Sequence, residues 1–124
     1  MADTKTEKII YIATHAGEDP ERASLPFVLA NAAQVMEVEA VVVLQGTAVY
    51  LAKKGYLEHV HAAGLAPLKE LVASFREAGG KLMVCVPCIK ERNIEESDLI
   101  EGAVPTAGGT LTLEILSANA TLVY

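Results

Sequence analysis

The chain has 124 residues, of which 52% are hydrophobic and 5% aromatic, so it can form one domain with a mainly aliphatic core. A formal net charge of −6 argues against nucleic acid and anionic membranes as partners, because such surfaces need a basic stripe that replaces counterions. The longest apolar run, residues 40–44, is far shorter than the roughly 20 residues of a membrane-spanning helix. The polar start MADTKTEK lacks an apolar signal core, which favours the cytoplasm.

The first third of the chain reads as a strand followed by a helix. Residues 9–12 (IIYI) predict a buried strand, and the turn formers THAGEDPE follow it. Asp19 is a typical cap for a helix over about residues 20–36. The predicted apolar face of this helix consists of Leu25, Val28, Leu29, Ala32, Val35 and Met36. Pro26 lies inside this stretch, so the helix either kinks there or begins later with Ser24 as its cap.

The middle of the chain contains the clearest strand. Residues 40–44 (AVVVL) show no polar alternation, which is typical of a strand covered on both faces. A turn at Gln45–Thr47 and a short helix over residues 48–53 are expected next. After an ambiguous stretch, Pro67 opens a helix that ends at Gly79–Gly80 and has an apolar face formed by Leu68, Leu71, Val72 and Phe75.

The last third begins with a third strand at residues 82–84, which delivers Cys85. A polar turn (EESDLIEGAVPTAGG), a helix around Leu111, Ile115 and Leu116, and a final strand at residues 120–124 follow. This alternation predicts an α/β fold with a mainly parallel sheet and helices on both faces. Four strands are readable, and the ambiguous middle has room for a fifth. Ligands bind beyond the carboxyl ends of such strands, so Thr14–Gly17, Gln45–Thr47 and Cys85–Cys88 are the candidate segments.

The two cysteines lie in KLMVCVPCIKERNI, and four interpretations of them are open. Cys85 ends a strand just before Pro87 starts a helix, where free N–H groups and the nearby Lys90 and Arg92 favour the nucleophilic thiolate. The same position also suits an inert cysteine that packs as a small hydrophobe. The C-V-P-C spacing is that of thiol–disulfide oxidoreductases. The two cysteines would also supply two of the four ligands of a structural zinc site.

Other residues weaken the redox and zinc interpretations. No tryptophan precedes the cysteines, and Pro105 is the sole later proline that could face them. His59 and His61 have no evident connection to the cysteines, so neither a metal nor a cofactor is expected. His15 follows the first strand, where it either acts as a base or proton carrier beside the cysteine cleft or is a partly exposed turn histidine.

The order of segments resembles the DsrE/DsrF-like family of small sulfur-relay proteins over nearly the whole chain. The resemblance is carried by IIYIATHAGEDPERA, AVVVLQGTAV, GGTLTLEILSANATLVY and, most specifically, LKELVASFREAGGKLMVCVPCIKERNI. It implies a single domain over residues 1–124 with a flavodoxin-like three-layer fold and a mainly parallel sheet of 4–5 strands. It also implies cytoplasmic sulfur trafficking by a homotrimer or hexamer, with sulfur donor and acceptor proteins as partners.

The resemblance assigns the persulfide-carrying position to Cys85. Cys88 and Arg92 of the same motif, together with His15 from its place after the first strand, are the candidate supporting residues. Many relatives have Arg-Gly where this chain has Arg92–Asn93, and asparagine suits a left-handed position best after glycine. Cys88 is expected to tune the site or to pack, because a relay that discharges its own cargo fails as a carrier.

Three functional hypotheses therefore follow from the sequence. The first is a sulfur carrier, or sulfurtransferase, that uses Cys85. The second is a non-catalytic oligomeric subunit or small-ligand binding protein whose cysteines only pack. The third is a dithiol redox protein, which requires a reversible Cys85–Cys88 disulfide.

Overall fold

Five strands form one sheet in the order β4-β3-β2-β1-β5, and every neighbouring pair is parallel. The computed structural model describes residues 6–124, so most of the polar start MADTKTEK lies outside it. The strands are β1 (Lys8–Ala13), β2 (Glu39–Leu44), β3 (Lys81–Cys85), β4 (Ala103–Thr106) and β5 (Ala120–Val123). The parallel sheet predicted from the sequence is confirmed.

Four α-helices and three short 3-10 helices connect the strands. The α-helices are α1 (Pro20–Val35), α2 (Leu68–Glu77), α3 (Val86–Glu91) and α4 (Gly108–Leu116). The 3-10 helices span Gly46–Ala52, Tyr56–His59 and Glu96–Asp98. Within residues 6–124, no helix is long and apolar enough to cross a membrane.

The core consists of two layers of side chains, one on each face of the sheet. Alternate residues along a strand point to opposite faces, so Tyr11 and Val42 contribute to one layer and Ile10 and Val41 to the other. On the first face α1 and α2 meet through an edge-to-face pair, Phe27–Phe75, with ring centroids 5.5 Å apart. On the second face α4 contributes Leu111 and Ile115. The structure thus has the expected three layers.

Helix α1 begins where the sequence predicts but buries the opposite face. Asp19 caps it by accepting a hydrogen bond from the backbone N–H of Arg22, and the helix continues through Pro26. Ser24 is fully buried inside the helix and is not its cap. The predicted apolar face is wrong, since Val35 and Met36 are 81% and 74% exposed. The buried positions are Ala23, Ser24, Pro26, Phe27, Ala30 and Ala33, mostly small residues that let the helix approach the sheet closely.

The fifth strand lies in the segment that the sequence analysis interpreted as a polar turn. The ambiguous middle forms the 3-10 helix Tyr56–His59 and irregular structure, whereas β4 occupies Ala103–Thr106. Pro105 fits there because β4 is an edge strand, where a missing N–H removes no ladder hydrogen bond on the open side. This strand lies beside β3 and aligns Thr106 with Cys85.

Candidate functional site

The two cysteines lie where strand β3 gives way to helix α3. Cys85 is the last residue of β3 and also the N-cap of α3, and Pro87 lies in the first turn of the helix. Cys88 follows one turn later, so the two Cα atoms are 5.3 Å apart and the sulfurs are joined as a disulfide. We call residues 85–92 the sulfur segment. The strand end predicted for Cys85 is confirmed, and the two cysteines form one unit.

The disulfide lies at the boundary between core and solvent. Cys85 and Cys88 are both half-buried and pack against the main core cluster. Their neighbours Val84 and Ile89 are buried, whereas Pro87 is exposed. Both cysteine residues therefore keep part of their surface in solvent.

A backbone group from the loop after β2 contacts the second sulfur. The N–H of Gly46 donates a hydrogen bond to Cys88 Sγ over 3.3 Å. Gly46 has a φ of +56°, a left-handed conformation that glycine adopts without strain. An N–H aimed at a sulfur stabilises negative charge there, so the reduced Cys88 has a group ready to support its thiolate.

Arg92 holds the backbone of the sulfur segment. Its Nη1 donates to the carbonyl oxygen of Cys88 over 3.2 Å, and its side chain is half-buried. The next residue, Asn93, has a φ of +55°, which confirms that this position is left-handed and explains why asparagine serves in place of glycine. Arg92 thus contacts the cysteine helix through a carbonyl oxygen.

His15 lies in the loop after β1, which we call the histidine loop (residues 14–19). Its Nδ1 is 2.8 Å from Glu18 Oε2, and Glu18 Oε1 accepts the N–H of Ala16 over 2.7 Å. Partial desolvation raises the pKa of the Glu18 carboxyl, but these hydrogen bonds outweigh it and hold that pKa below the usual value. An ionised carboxylate only accepts hydrogen bonds, so Nδ1 carries the proton and neutral His15 keeps a lone pair on Nε2.

The histidine loop and the sulfur segment share the carboxyl edge of the sheet. Strand register aligns Ala13 with Leu44 and Leu44 with Val84, so His15 and Cys85 both lie just beyond the same level. Strand β2 separates them, which places them about two strand spacings, roughly 10 Å, apart along the edge. His15 and Cys85 therefore lie on the same edge of the sheet. The structure shows Glu18 as the hydrogen-bond partner of His15.

Within residues 6–124, neither of the other two histidines hydrogen-bonds to the sulfur segment, and His61 lies beside Asp19 of the histidine loop. His59 ends the 3-10 helix Tyr56–His59 and is exposed, while His61 Nε2 is 2.9 Å from the carbonyl oxygen of Leu65. Within the part of the chain that the structure describes, no three His, Cys, Asp or Glu side chains are grouped so as to hold a metal ion.

Two contacts of the site are not predicted by the sequence analysis. Thr106 of β4 is buried next to Cys85, and its hydroxyl donates to the carbonyl oxygen of Val104. Gly46 lies 42 residues from Cys88 in the chain, and no local pattern links the two. The available signal was the candidate segment Gln45–Thr47, which the structure places at the carboxyl edge of the sheet.

Two curated relatives are similar to this chain in sequence. MJ0989, an uncharacterized protein of Methanocaldococcus jannaschii, is 34% identical over 96 residues, which is 77% of this chain and 81% of that protein. MJ0760, another uncharacterized protein of the same organism, is 30% identical over 116 residues, or 94% of this chain. The chain spans only 42% of the length of MJ0760.

Solved structures share the fold. The ychN protein from E. coli superposes with a TM-score of 0.81 at 21% identity, over 96% of this chain and 100% of that one. The conserved protein BT1422 of Bacteroides thetaiotaomicron superposes with a TM-score of 0.68 at 15% identity, over 95% of each chain. At these identities the likeness concerns the fold.

Residues 7–124 match the model of the DsrE/DsrF-like family. The match covers all five strands and all four α-helices, including the sulfur segment. The resemblance noted in the sequence is confirmed, and the chain belongs to the DsrE/DsrF-like family.

Proposed function

We propose that this protein relays sulfur by carrying a persulfide on Cys85. One observation carries the proposal: a half-buried cysteine ends a core strand at the carboxyl edge of the sheet and is paired with Cys88 one helical turn later. Ligand chemistry in parallel α/β sheets concentrates at this edge. Membership of a family known for small sulfur-relay proteins supports the same role.

Loading and unloading are two thiol exchange steps. The Cys85 thiolate attacks the outer sulfur of a donor persulfide, the sulfur–sulfur bond of the donor breaks, and the donor leaves as a thiolate. Cys85 then holds the transferred sulfur as its own persulfide. An acceptor thiolate later attacks that outer sulfur, and Cys85 leaves as a thiolate ready for another cycle. Donor and acceptor proteins are thus the partners of this chain.

When no acceptor thiol is present, Cys88 provides a second fate for the loaded sulfur. Its thiolate attacks Cys85 Sγ, forms the Cys85–Cys88 disulfide and releases the outer sulfur as hydrosulfide. The disulfide in the structure and the N–H of Gly46 on Cys88 Sγ support this step. An external dithiol must then reduce the disulfide before Cys85 can load again. This role for Cys88 goes beyond the tuning or packing expected from the sequence.

His15 and Arg92 support the cysteines in this scheme. We assign proton transfer to His15: Glu18 accepts the Nδ1 proton and leaves Nε2 as the acceptor, and water must carry the thiol proton across the roughly 10 Å between the two regions. Arg92 positions the first turn of α3 through its hydrogen bond to the Cys88 carbonyl oxygen. Both are positioning or proton-transfer roles, whereas the sulfur itself passes through Cys85.

The assembly proposed with this function is a homotrimer or hexamer in the cytoplasm. Apolar side chains on two outer helices support it: Val35 and Met36 on α1, and Leu113 and Leu116 on α4, the last two being 70% and 76% exposed. Side chains of this kind on the surface of a small domain favour burial against another copy. Reducing conditions in the cytoplasm keep the thiols available for loading.

A second candidate, a dithiol redox protein, is favoured by the disulfide itself. It predicts reversible closure of Cys85–Cys88 with a measurable reduction potential and no uptake of sulfur. The relay differs in one respect, since reduced Cys85 gains a sulfur atom before any disulfide forms.

Mass spectrometry of the intact protein separates the two candidates. The fully reduced chain is incubated with thiosulfate and a rhodanese, beside Cys85→Ser and Cys88→Ser. The relay predicts one added sulfur on Cys88→Ser, hydrosulfide release and disulfide closure in the wild type, and no addition on Cys85→Ser. If Cys88→Ser gains no sulfur, the relay is wrong, and a glutathione titration of the wild-type disulfide then tests the redox candidate.

A further inference from the structure

A second site candidate is a basic pocket on the flank of α2, separate from the sulfur segment. It encloses about 240 Å³ between α2, the 3-10 helix Tyr56–His59 and the chain before β4. Its floor is apolar and includes Leu57, Val72 and Ile100, and its rim carries Lys53, Lys69 and Arg76. The volume is below the roughly 300–1,000 Å³ of pockets that take drug-sized ligands, so it suits a smaller molecule.

The rim has more positive charge than its own carboxylate neutralises. Lys69 Nζ is 2.6 Å from Glu58 Oε1, which pairs those two groups. Within residues 6–124, Lys53 and Arg76 have no carboxylate within 4.0 Å, although the chain carries a net charge of −6. Two cations without acidic partners beside an apolar floor form a site for a negative group.

Arg76 lies at one end of the pocket. It is half-buried in the last turn of α2, and its guanidinium lies over Gly102, whose φ is +89°. A Cβ at Gly102 would stand 3.1 Å from Arg76 Nη2, so a larger residue there would require the guanidinium to shift by a few tenths of an ångström. A cation at a helix C-terminus also interacts favourably with the helix dipole, and this interaction alone would account for Arg76. It does not explain why Lys53 and an apolar floor lie beside that arginine.

One face of α2 provides the wall of the pocket. Lys69, Val72, Ala73 and Arg76 are spaced by three and four residues, so they lie along one side of the helix. The paired end (Lys69 with Glu58) is nearly neutral, and the Arg76 end is positive. A ligand with a single anionic head therefore fits better than one charged at both ends.

We propose that this pocket binds a small organic oxyanion, a carboxylate, sulfonate or phosphate ester with an apolar body. The planar guanidinium of Arg76 receives two oxygens of the head group, and Lys53 adds a second positive charge. The apolar body lies on Val72 and Ile100, where it displaces water from the floor. This site is independent of the sulfur chemistry, so Cys85→Ser binds the same ligand as the wild type does.

The test is a titration with phenyl phosphate, followed by the methyl NMR signals of Val72 and Ile100. We expect saturable shifts with a dissociation constant of about 1 mM or tighter, and weaker binding of inorganic phosphate and of phenol. Lys53→Gln combined with Arg76→Gln should weaken binding by about tenfold or more. Arg22→Gln combined with Lys90→Gln removes the same charge outside the pocket and should leave binding unchanged.

A second pair of variants covers the case in which the double substitution impairs folding. Ala73 is exposed and lines the pocket, so Ala73→Glu places a carboxylate there and should abolish binding, whereas the neutral Ala73→Gln should weaken it far less. The absence of saturable shifts at these methyl groups would overturn the proposal. Equal affinity of Ala73→Glu and Ala73→Gln, or inorganic phosphate binding as tightly as phenyl phosphate, would overturn it as well.

Discussion

The sulfur segment and the histidine loop lie on the same edge of the sheet but are held in different ways. The sulfur segment is fixed by a disulfide and by hydrogen bonds to backbone atoms or sulfur, from Gly46 and Arg92. The histidine loop is held by side chains, through Glu18 and through the Tyr56 hydroxyl, which accepts the N–H of Gly17 over 2.8 Å. Oxidation state should therefore control the first region, and pH the second.

Gly46 lies between the two regions. Its N–H contacts Cys88 Sγ, and a Cβ added to it would come to 4.0 Å from the carbonyl oxygen of Thr14. The loop after β2 thus lies beside both regions. Substitutions in the sulfur segment, in the histidine loop and at Gly46 itself test whether the two regions are as separate as their contacts indicate.

The largest expected effect is loss of the redox dependence of stability in Cys88→Ser. A disulfide that closes a four-residue loop stabilises the fold by about 2 kcal/mol, because it restricts the unfolded chain. In urea unfolding, the free energy of unfolding of the oxidised wild type should exceed that of the reduced wild type by this amount. For Cys88→Ser, oxidising and reducing conditions should give the same free energy of unfolding. An equal difference in the variant would show that oxidation acts outside the sulfur segment.

Gly46→Ala should cost about 1–2 kcal/mol, because alanine is strained at a φ of +56°. No atom lies closer than 4.0 Å to the added Cβ, so the cost is conformational and not a clash. Gly108→Ala is the matched control, since it has open space and no positive φ, and it should be neutral or slightly stabilising. Urea unfolding of the reduced proteins gives both values, and equal effects would contradict the role of the left-handed turn.

Tyr56→Phe should destabilise the histidine loop by about 0.5–1.5 kcal/mol, the usual contribution of one hydrogen bond. The lost hydroxyl is the acceptor for the Gly17 N–H. Tyr50→Phe is the control, because Tyr50 stacks on the same ring, with centroids 5.9 Å apart, and its hydroxyl makes no hydrogen bond within residues 6–124. Amide exchange at Gly17 should accelerate in Tyr56→Phe alone.

The smallest effect is expected for Glu18→Gln, and it depends on pH. The pKa of Glu18 is lowered in the folded protein, so its stabilising contribution is present above the ordinary value of 4.5 and is lost as the pH falls below it. Because the side chain is 51% exposed, solvent screening keeps this contribution below about 1 kcal/mol. Wild type and Glu18→Gln should therefore converge in stability at acid pH and differ at neutral pH. A difference that persists unchanged in acid would exclude the carboxylate as its source.

The sequence predicts most of the fold because four of its five strands and its later helices carry clear patterns. The run AVVVL and the helix before Gly79–Gly80 lie where they were predicted. The buried face of helix α1 was predicted wrongly because both of its faces are apolar. The large side chains of Val35 and of the C-cap Met36 face outward, and alanines pack on the sheet instead. Strand β4 was missed because Pro105 reads as a turn signal, and only its edge position makes it compatible with a strand.

The candidate site is less predictable than the fold, since its contacts are tertiary. The end of β3 at Cys85 follows from local signals, and the left-handed Asn93 follows from the preference of asparagine for that conformation. The hydrogen bond from Gly46 to Cys88 requires the register of β2 and β3, which no local pattern contains. The pairing of His15 with Glu18 likewise depends on how the loop folds.

The disulfide also sets a stoichiometry. A chain in which Cys85 and Cys88 are bonded has no thiolate to offer, and reopening the bond consumes two electrons and two protons. In the proposed relay, the fraction of a preparation able to accept sulfur is therefore the fraction whose bond is open. Counting reactive thiols before each assay gives the ceiling on uptake, and an apparently inert sample with no titratable thiol is only an oxidised one.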